Sequence, residues 1–167
     1  ILLSLILFNY RTMRPRFVEL SRFSDGSFRD AKINKLETCC YISVLRFDMS
    51  LYFANAGYFE TKVLENLASK SQLKYIIIDA DGMNMLDATG QEMLCQLKLR
   101  LHQVGIELLF ARLKGPFMNV LRRTGALDCH GEKHIFPRVQ DAITYASQGL
   151  SEDFALKSPL VVPVFRG

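Results

Sequence analysis

The chain alternates between segments with two hydrophobic periods, which predicts alternating strands and helices. Clusters of β-branched and aromatic residues predict five strands, at 40–47, 51–53, 75–79, 106–111 and 134–136. The continuous apolar run at 75–79 indicates a central strand that is buried on both faces.

Helices are predicted where apolar residues recur at three- and four-residue steps. They run over about 56–69, from a capping Asp87 to Gly105, from Pro116 to Gly125, and from Val139 to just before Gly149. The order β-β-α-β-α-β-α-β-α predicts an α/β fold. We expect one domain over residues 39–149, with a mixed, mostly parallel central sheet and flanking helices.

The segments before and after this domain have different patterns. Residues 1–8 are almost wholly apolar and are followed by Arg11, Arg14 and Arg16. This is typical of a transmembrane helix that leaves the bilayer on the cytoplasmic side, so residues 1–10 are interpreted as the end of such a helix. These residues alone are equally compatible with the alternative interpretation, a buried strand or helix end of a soluble domain. Residues 11–38 are interpreted as a basic surface linker, and residues 150–167 as an extended tail.

Composition excludes several classes of protein. Of the 167 residues, 49% are hydrophobic and 23% charged, which is a globular rather than a disordered composition. The net charge of +4 is too mild for a dedicated nucleic-acid binder. The four cysteines lack CxxC spacing, so we interpret them as small buried hydrophobic residues in a reducing compartment.

The sequence contains no catalytic set, so we expect no enzyme. There is no phosphate-binding glycine loop and no nucleophile elbow. Asp79, Asp81 and Asp87 follow a central strand, where carboxylates can hold Mg²⁺. The favoured interpretation is structural: Asp81 begins a turn and Asp87 caps a helix.

Two features predict an interaction surface. Thr89 and Gly90 lie in the first turn of a helix, where unpaired N–H groups favour an anion or a phosphorylated hydroxyl. A basic segment supplies Arg112, Lys114, Arg122 and Arg123, either as a partner surface or as a solvated face. Loops that follow adjacent parallel strands open on one edge, so Thr89 and Lys114 are expected to share that edge.

These segments resemble the STAS domain of SulP-family anion permeases. The segment 46–56 looks like the start of such a domain, and Asp79 followed by Asp87-Ala-Thr-Gly90 resembles the general STAS signature. The segments 105–116, 121–125 and 136–143 are similar to the permease subset. The resemblance covers about residues 15–146.

The resemblance implies a regulatory domain on the cytoplasmic face of the plasma membrane. It would belong to a transporter for sulfate, bicarbonate or dicarboxylate, with residues 1–8 ending the last membrane helix. Implied partners are the membrane domain of the same transporter, a second copy in a homodimer and a cytoplasmic regulatory protein, but no nucleic acid. No cofactor is implied beyond weak nucleotide binding.

The alternative is a stand-alone anti-sigma-factor antagonist, a STAS phosphoswitch in which Thr89 would be the acceptor. Ala88 stands where many relatives have Ser or Thr, so one hydroxyl remains at this helix start.

Overall fold

The computed structural model of the chain describes residues 1–126, 131–150 and 158–160. Besides a 3₁₀ turn at Glu132–His134, these residues form the following elements: α1 (Leu2–Met13), β1 (Phe17–Arg22), β2 (Phe28–Asp30), β3 (Ile42–Phe47), α2 (Ala56–Ala68), β4 (Tyr75–Asp79), α3 (Ala88–Gln103), β5 (Glu107–Ala111), α4 (Gly115–Arg123), β6 (Ile135–Phe136) and α5 (Val139–Gln148).

The strands form one mixed sheet in the order β2-β1-β3-β4-β5-β6. Strands β3 to β6 are parallel, and β1 pairs antiparallel with both β2 and β3. In the register, Ile77 of β4 lies opposite Val44 of β3 and Leu109 of β5. The predicted α/β class and its mixed, mostly parallel sheet are confirmed.

The core lies on both faces of the sheet, as the apolar run of β4 predicts. Ile76 and Ile78 belong to the cluster that packs under α2, α3 and α4, whereas Ile77 belongs to the cluster that includes α5. All three isoleucines are fully buried. Alternate residues of a strand point to opposite faces, so β4 joins the two halves of the core.

The prediction of a basic surface linker over residues 11–38 did not include β1 and β2. These strands extend the sheet, and Glu19 of β1 lies opposite Leu45 of β3. The pattern hid β1 because its buried positions include Ser21, whose hydroxyl donates a 2.5 Å hydrogen bond to the carbonyl of Glu37. Polar residues that are satisfied by distant partners break the apolar period on which the prediction depended.

The predicted strand at 51–53 is also wrong. Leu51 forms only an isolated bridge with Leu86, and the chain passes directly into α2. The Leu51 amide donates to Met85 O over 3.0 Å, and its carbonyl accepts from Asp87 N over 3.2 Å. Leu51 therefore holds the segment that leads into α3.

Cys40 departs from the cysteine prediction, whereas the described part of the tail agrees with the docked form of an extended tail, one of the two forms that the sequence left open. Cys39 is buried but Cys40 is exposed, so the pair is not uniformly part of the core. Within the predicted tail, Leu160 is buried and its carbonyl accepts a 3.2 Å hydrogen bond from Arg22 Nε. Cys129 and the tail segments 151–157 and 161–167 lie outside the described residues.

Helix α1 contributes nothing to the core, because none of its residues is buried. Among the described residues, no helix is both long enough and apolar enough to cross a membrane. The interpretation of residues 1–10 as the end of a membrane helix stays a prediction.

Candidate interaction edge

The carboxyl ends of the parallel strands β4 and β5 lie side by side at one edge of the sheet, and an ion pair between Asp79 and Arg112 joins them. Asp79, the last residue of β4, is fully buried. Arg112 follows β5 and donates from Nε to Asp79 Oδ1 over 2.8 Å and from Nη2 to Oδ2 over 2.5 Å. Its Nη1 lies 3.6 Å from Asp81 Oδ2. The predicted neighbourhood of the two loops is confirmed.

The surroundings hold Arg112 in its charged form. Hydrogen bonding to Asp79 is the main cause that raises the pKa of Arg112, and the charges of Asp79, Asp81 and Asp48 add to it against the effect of burial. Arg112 has a φ of 59°, in the left-handed region that side chains other than glycine rarely adopt. Its amide donates to Phe136 O over 3.0 Å, so pairing with β6 fixes this conformation.

This geometry bears on the Mg²⁺ alternative. Both oxygens of Asp79 accept hydrogen bonds from Arg112, and Asp87 is engaged elsewhere. No group of three or more His, Cys, Asp or Glu side chains that could hold a metal occurs in the part of the chain that the structure describes. The guanidinium of Arg112 is the partner of this buried carboxylate.

A second pair, which the sequence analysis missed, extends the network along the same edge. Arg46 Nε donates to Asp48 Oδ1 over 2.5 Å. This hydrogen bond is the main cause that raises the pKa of Arg46, and Asp79 contributes through its charge. Arg46 lies opposite Asp79 in the parallel register, which an arginine near the end of a predicted strand could have signalled.

Asp87 fixes the start of α3, as predicted. Its Oδ1 accepts from Gly90 N over 2.7 Å, and its Oδ2 accepts from Phe53 N over 2.9 Å. A Cβ on Gly90 would lie 2.9 Å from Leu51 O, so the absent side chain lets the helix approach the 51–53 segment. One carboxylate therefore holds both the helix and the neighbouring loop.

The surface around this helix start is more apolar than the sequence analysis expected. Thr89 is exposed in the first turn of α3, beside exposed Ala88. Phe53 and Met85 are 73% and 67% exposed, although the Phe53 amide is hydrogen-bonded to Asp87 and the Met85 carbonyl to the Leu51 amide. The sequence signal that could have predicted this surface is the presence of two large apolar residues, Phe53 and Met85, in short loops. We call Phe53, Met85 and Thr89 the α3 edge.

The four predicted basic residues do not converge on one point. Arg112 is bound to Asp79, and Lys114 Nζ donates to Asn84 Oδ1 over 2.9 Å at the start of α4. Arg122 and Arg123 are exposed in the last turn of α4. The helix rises ~1.5 Å per residue, so they lie about 12 Å along its axis from the edge.

The described elements form a small α/β domain with a mixed sheet. Beside the carboxyl ends of its parallel strands, the capped start of α3 carries exposed apolar side chains. A family model for the STAS domain matches residues 32–142. The chain belongs to the STAS domain family.

Similar proteins include transporters. The chain is 33% identical over 101 residues to a probable sulfate transporter of Mycobacterium tuberculosis. The matched segment covers 60% of the chain and 18% of that transporter. It thus spans about a fifth of this relative's length. The structure of the murine Slc26a9 anion transporter matches 87% of the chain and 24% of that chain, with a TM-score of 0.79 and 21% identity.

Stand-alone proteins share the fold as well. The anti-sigma factor antagonist SpoIIAA in its unphosphorylated form matches 69% of the chain and 95% of its own, with a TM-score of 0.54 and 13% identity. Identity at this level shows the fold alone. STAS domains are not a known catalytic family, and the chain matches parts of proteins that are named as a probable sulfate transporter and an anion transporter.

Proposed function

We propose that the chain is the regulatory domain of a SulP-type anion transporter and acts through protein contacts at the α3 edge rather than through catalysis. The observation that carries this proposal is that Phe53, Met85 and Thr89 are all exposed at a helix start whose backbone is held by hydrogen bonds to Asp87. Exposed apolar side chains on a fixed backbone suit a protein partner, because little conformational entropy is lost on binding.

The proposed setting is the cytoplasmic face of the plasma membrane. We propose an anion of the sulfate, bicarbonate or dicarboxylate class; the matched relative is named as a probable sulfate transporter, and this name supports sulfate. The partners that we propose are the membrane domain of the same transporter, a second copy of the domain and a cytoplasmic regulatory protein. Residues 1–10 would then end the last membrane helix, in keeping with the exposure of α1. We propose no cofactor.

The experiment compares Thr89→Glu with Thr144→Glu in the full-length transporter. Thr144 is an exposed threonine on α5, so its replacement adds the same charge away from the α3 edge. We expect anion uptake to change with Thr89→Glu and with Phe53→Ser, and to stay at the parent level with Thr144→Glu. Unchanged uptake in both α3-edge variants, at equal surface expression, would contradict the proposal.

The antagonist-like phosphoswitch remains a second candidate, because Thr89 is exposed at a helix N-terminus where a phosphate would be stabilised. It predicts that the chain alone forms a complex with an ATP-dependent kinase and that Thr89→Glu dissociates this complex. The apolar surface of α1 favours the transporter, since a free switch needs no such helix.

A further inference from the structure

Positive side chains gather where α1 meets the folded domain. Arg14, the C-cap of α1, borders a groove with Tyr58 and Lys62 of α2, and its guanidinium lies 5.3 Å from the centre of the Tyr10 ring. Arg11 precedes Arg14 by three residues, a spacing that puts both on one side of the helix. We call Arg11, Arg14 and Lys62 the basic collar.

Acidic groups offset only part of this charge. Lys62 Nζ donates to Glu65 Oε2 over 2.6 Å, and the neighbouring Arg16 pairs with Asp30 over 3.0 Å. Arg11 and Arg14 are exposed and form no ion pair within the described residues. Two positive charges are therefore left at the base of α1.

Apart from Ser4, the part of α1 that precedes Asn9 is apolar on every side. Leu2, Leu3 and Phe8 are 73%, 69% and 67% exposed, and Leu5, Ile6 and Leu7 are each more than half exposed. A helix that is apolar all round is suited to a lipid environment. The change from apolar to basic residues occurs at Asn9–Arg11, with Tyr10 between them, as at a membrane–water interface.

We propose that the basic collar binds the headgroups of anionic phospholipids at the surface where α1 enters the bilayer. This inference rests on the placement of α1 at the membrane within the proposed function. Charge complementarity selects the occupant, since the collar is cationic and adjoins an apolar helix. Each arginine near an anionic surface is expected to strengthen binding about fivefold at moderate salt.

The test measures sedimentation of the full chain with vesicles of phosphatidylcholine and with vesicles of phosphatidylcholine and phosphatidylserine. The variant Arg11→Gln/Arg14→Gln removes two charges from the collar. The control Arg122→Gln/Arg123→Gln removes two exposed arginines from the last turn of α4, so the net charge changes equally. We expect the preference for anionic vesicles to fall about 25-fold in the collar variant and to persist in the control.

Each other outcome overturns a defined statement. Equal binding of the parent chain to both kinds of vesicle, or an equal loss in both variants, refutes the collar. Displacement by sodium phosphate beyond that by sodium chloride at the same ionic strength refutes a lipid source, because the collar would then bind free phosphate. No binding to either kind of vesicle refutes the placement of α1, whereas the transport response to Thr89→Glu tests the α3 edge independently.

Discussion

Removing the two partners of the Asp79–Arg112 ion pair should affect stability unequally. Asp79 is fully buried, whereas 37% of the Arg112 side chain is exposed. Arg112→Met leaves a buried carboxylate without its partner, which costs about 3–5 kcal/mol when a buried pair is broken. Asp79→Asn leaves a guanidinium that water can still reach, so we expect a loss of about 1–2 kcal/mol.

The backbone of Arg112 adds a separate contribution. Its φ of 59° strains any residue other than glycine by about 1–2 kcal/mol. Arg112→Gly and Arg112→Ala both remove the ion pair, but only Gly relieves this strain. The strain relieved is about 1–2 kcal/mol, and the extra entropy that glycine loses on folding is about 0.5–1 kcal/mol, so Arg112→Gly should be the more stable of the two by a net ~1 kcal/mol.

The assay is urea denaturation followed by circular dichroism, with a double-mutant cycle that includes Asp79→Asn/Arg112→Met. We expect a coupling free energy of about 1–3 kcal/mol, a large fraction of a total stability of about 5–15 kcal/mol. A coupling near zero, or a larger loss in Asp79→Asn than in Arg112→Met, would refute the assignment of a buried, arginine-compensated carboxylate.

Three further predictions concern other parts of the fold. Gly90→Ala should lower the free energy of unfolding by about 1–3 kcal/mol, because its Cβ would lie 2.9 Å from the backbone oxygen of Leu51. The control Gly57→Ala, whose Cβ would have nothing within 4 Å, should not lower this free energy. Equal melting temperatures for the two variants would contradict the close packing at Gly90. Burial alone would raise the pKa of Asp30, but hydrogen bonds from the Ile33 amide, Arg16 and the Lys32 amide outweigh it and lower the pKa below 3.8. A carboxyl whose pKa is lower in the folded than in the unfolded protein stabilises the fold above the unfolded pKa, and this stabilisation is lost as pH falls through the folded pKa. Asp30→Asn should therefore lower the free energy of unfolding at neutral pH, and the free energies of variant and parent should converge in acid. A constant difference between them from neutral pH into acid would contradict this. Deleting residues 1–10 should change stability by less than about 0.5 kcal/mol in the same denaturation, since no residue of α1 is buried; a clear loss would show that α1 packs on the domain.

Elements with a strong local pattern could be predicted from the sequence. The bounds of β4 were predicted correctly, because its continuous apolar run needs no knowledge of its partners. Helix α3 was placed from the capping Asp87 and the apolar face that follows it, and the structure shows the expected hydrogen bond to Gly90 N. In these cases the signal lies within a few residues of the element that it specifies.

Elements whose stability comes from distant residues could not be predicted. Strand β1 carries Glu19, and its carboxylate is satisfied by Lys70 and by Asn66 of α2, 47 residues further along the chain. Nothing within the local sequence indicates that a charged residue can occupy a sheet there. The sheet pairing of β1 with β3 supplies what its own pattern lacks.

The same distinction holds for the candidate site. The sequence alone supplied the residue types at the strand ends, the cap at Asp87, the position of the Thr89 hydroxyl in the first turn of a helix and the parallel order that puts two loops on one edge. The pairing of Asp79 with Arg112, 33 residues apart, arose only when β4 and β5 became neighbours. The fold buries Asp79, so that Arg112 serves to compensate its charge. The fold also leaves Phe53 and Met85 exposed. Both outcomes depend on which residues the tertiary structure places around a side chain.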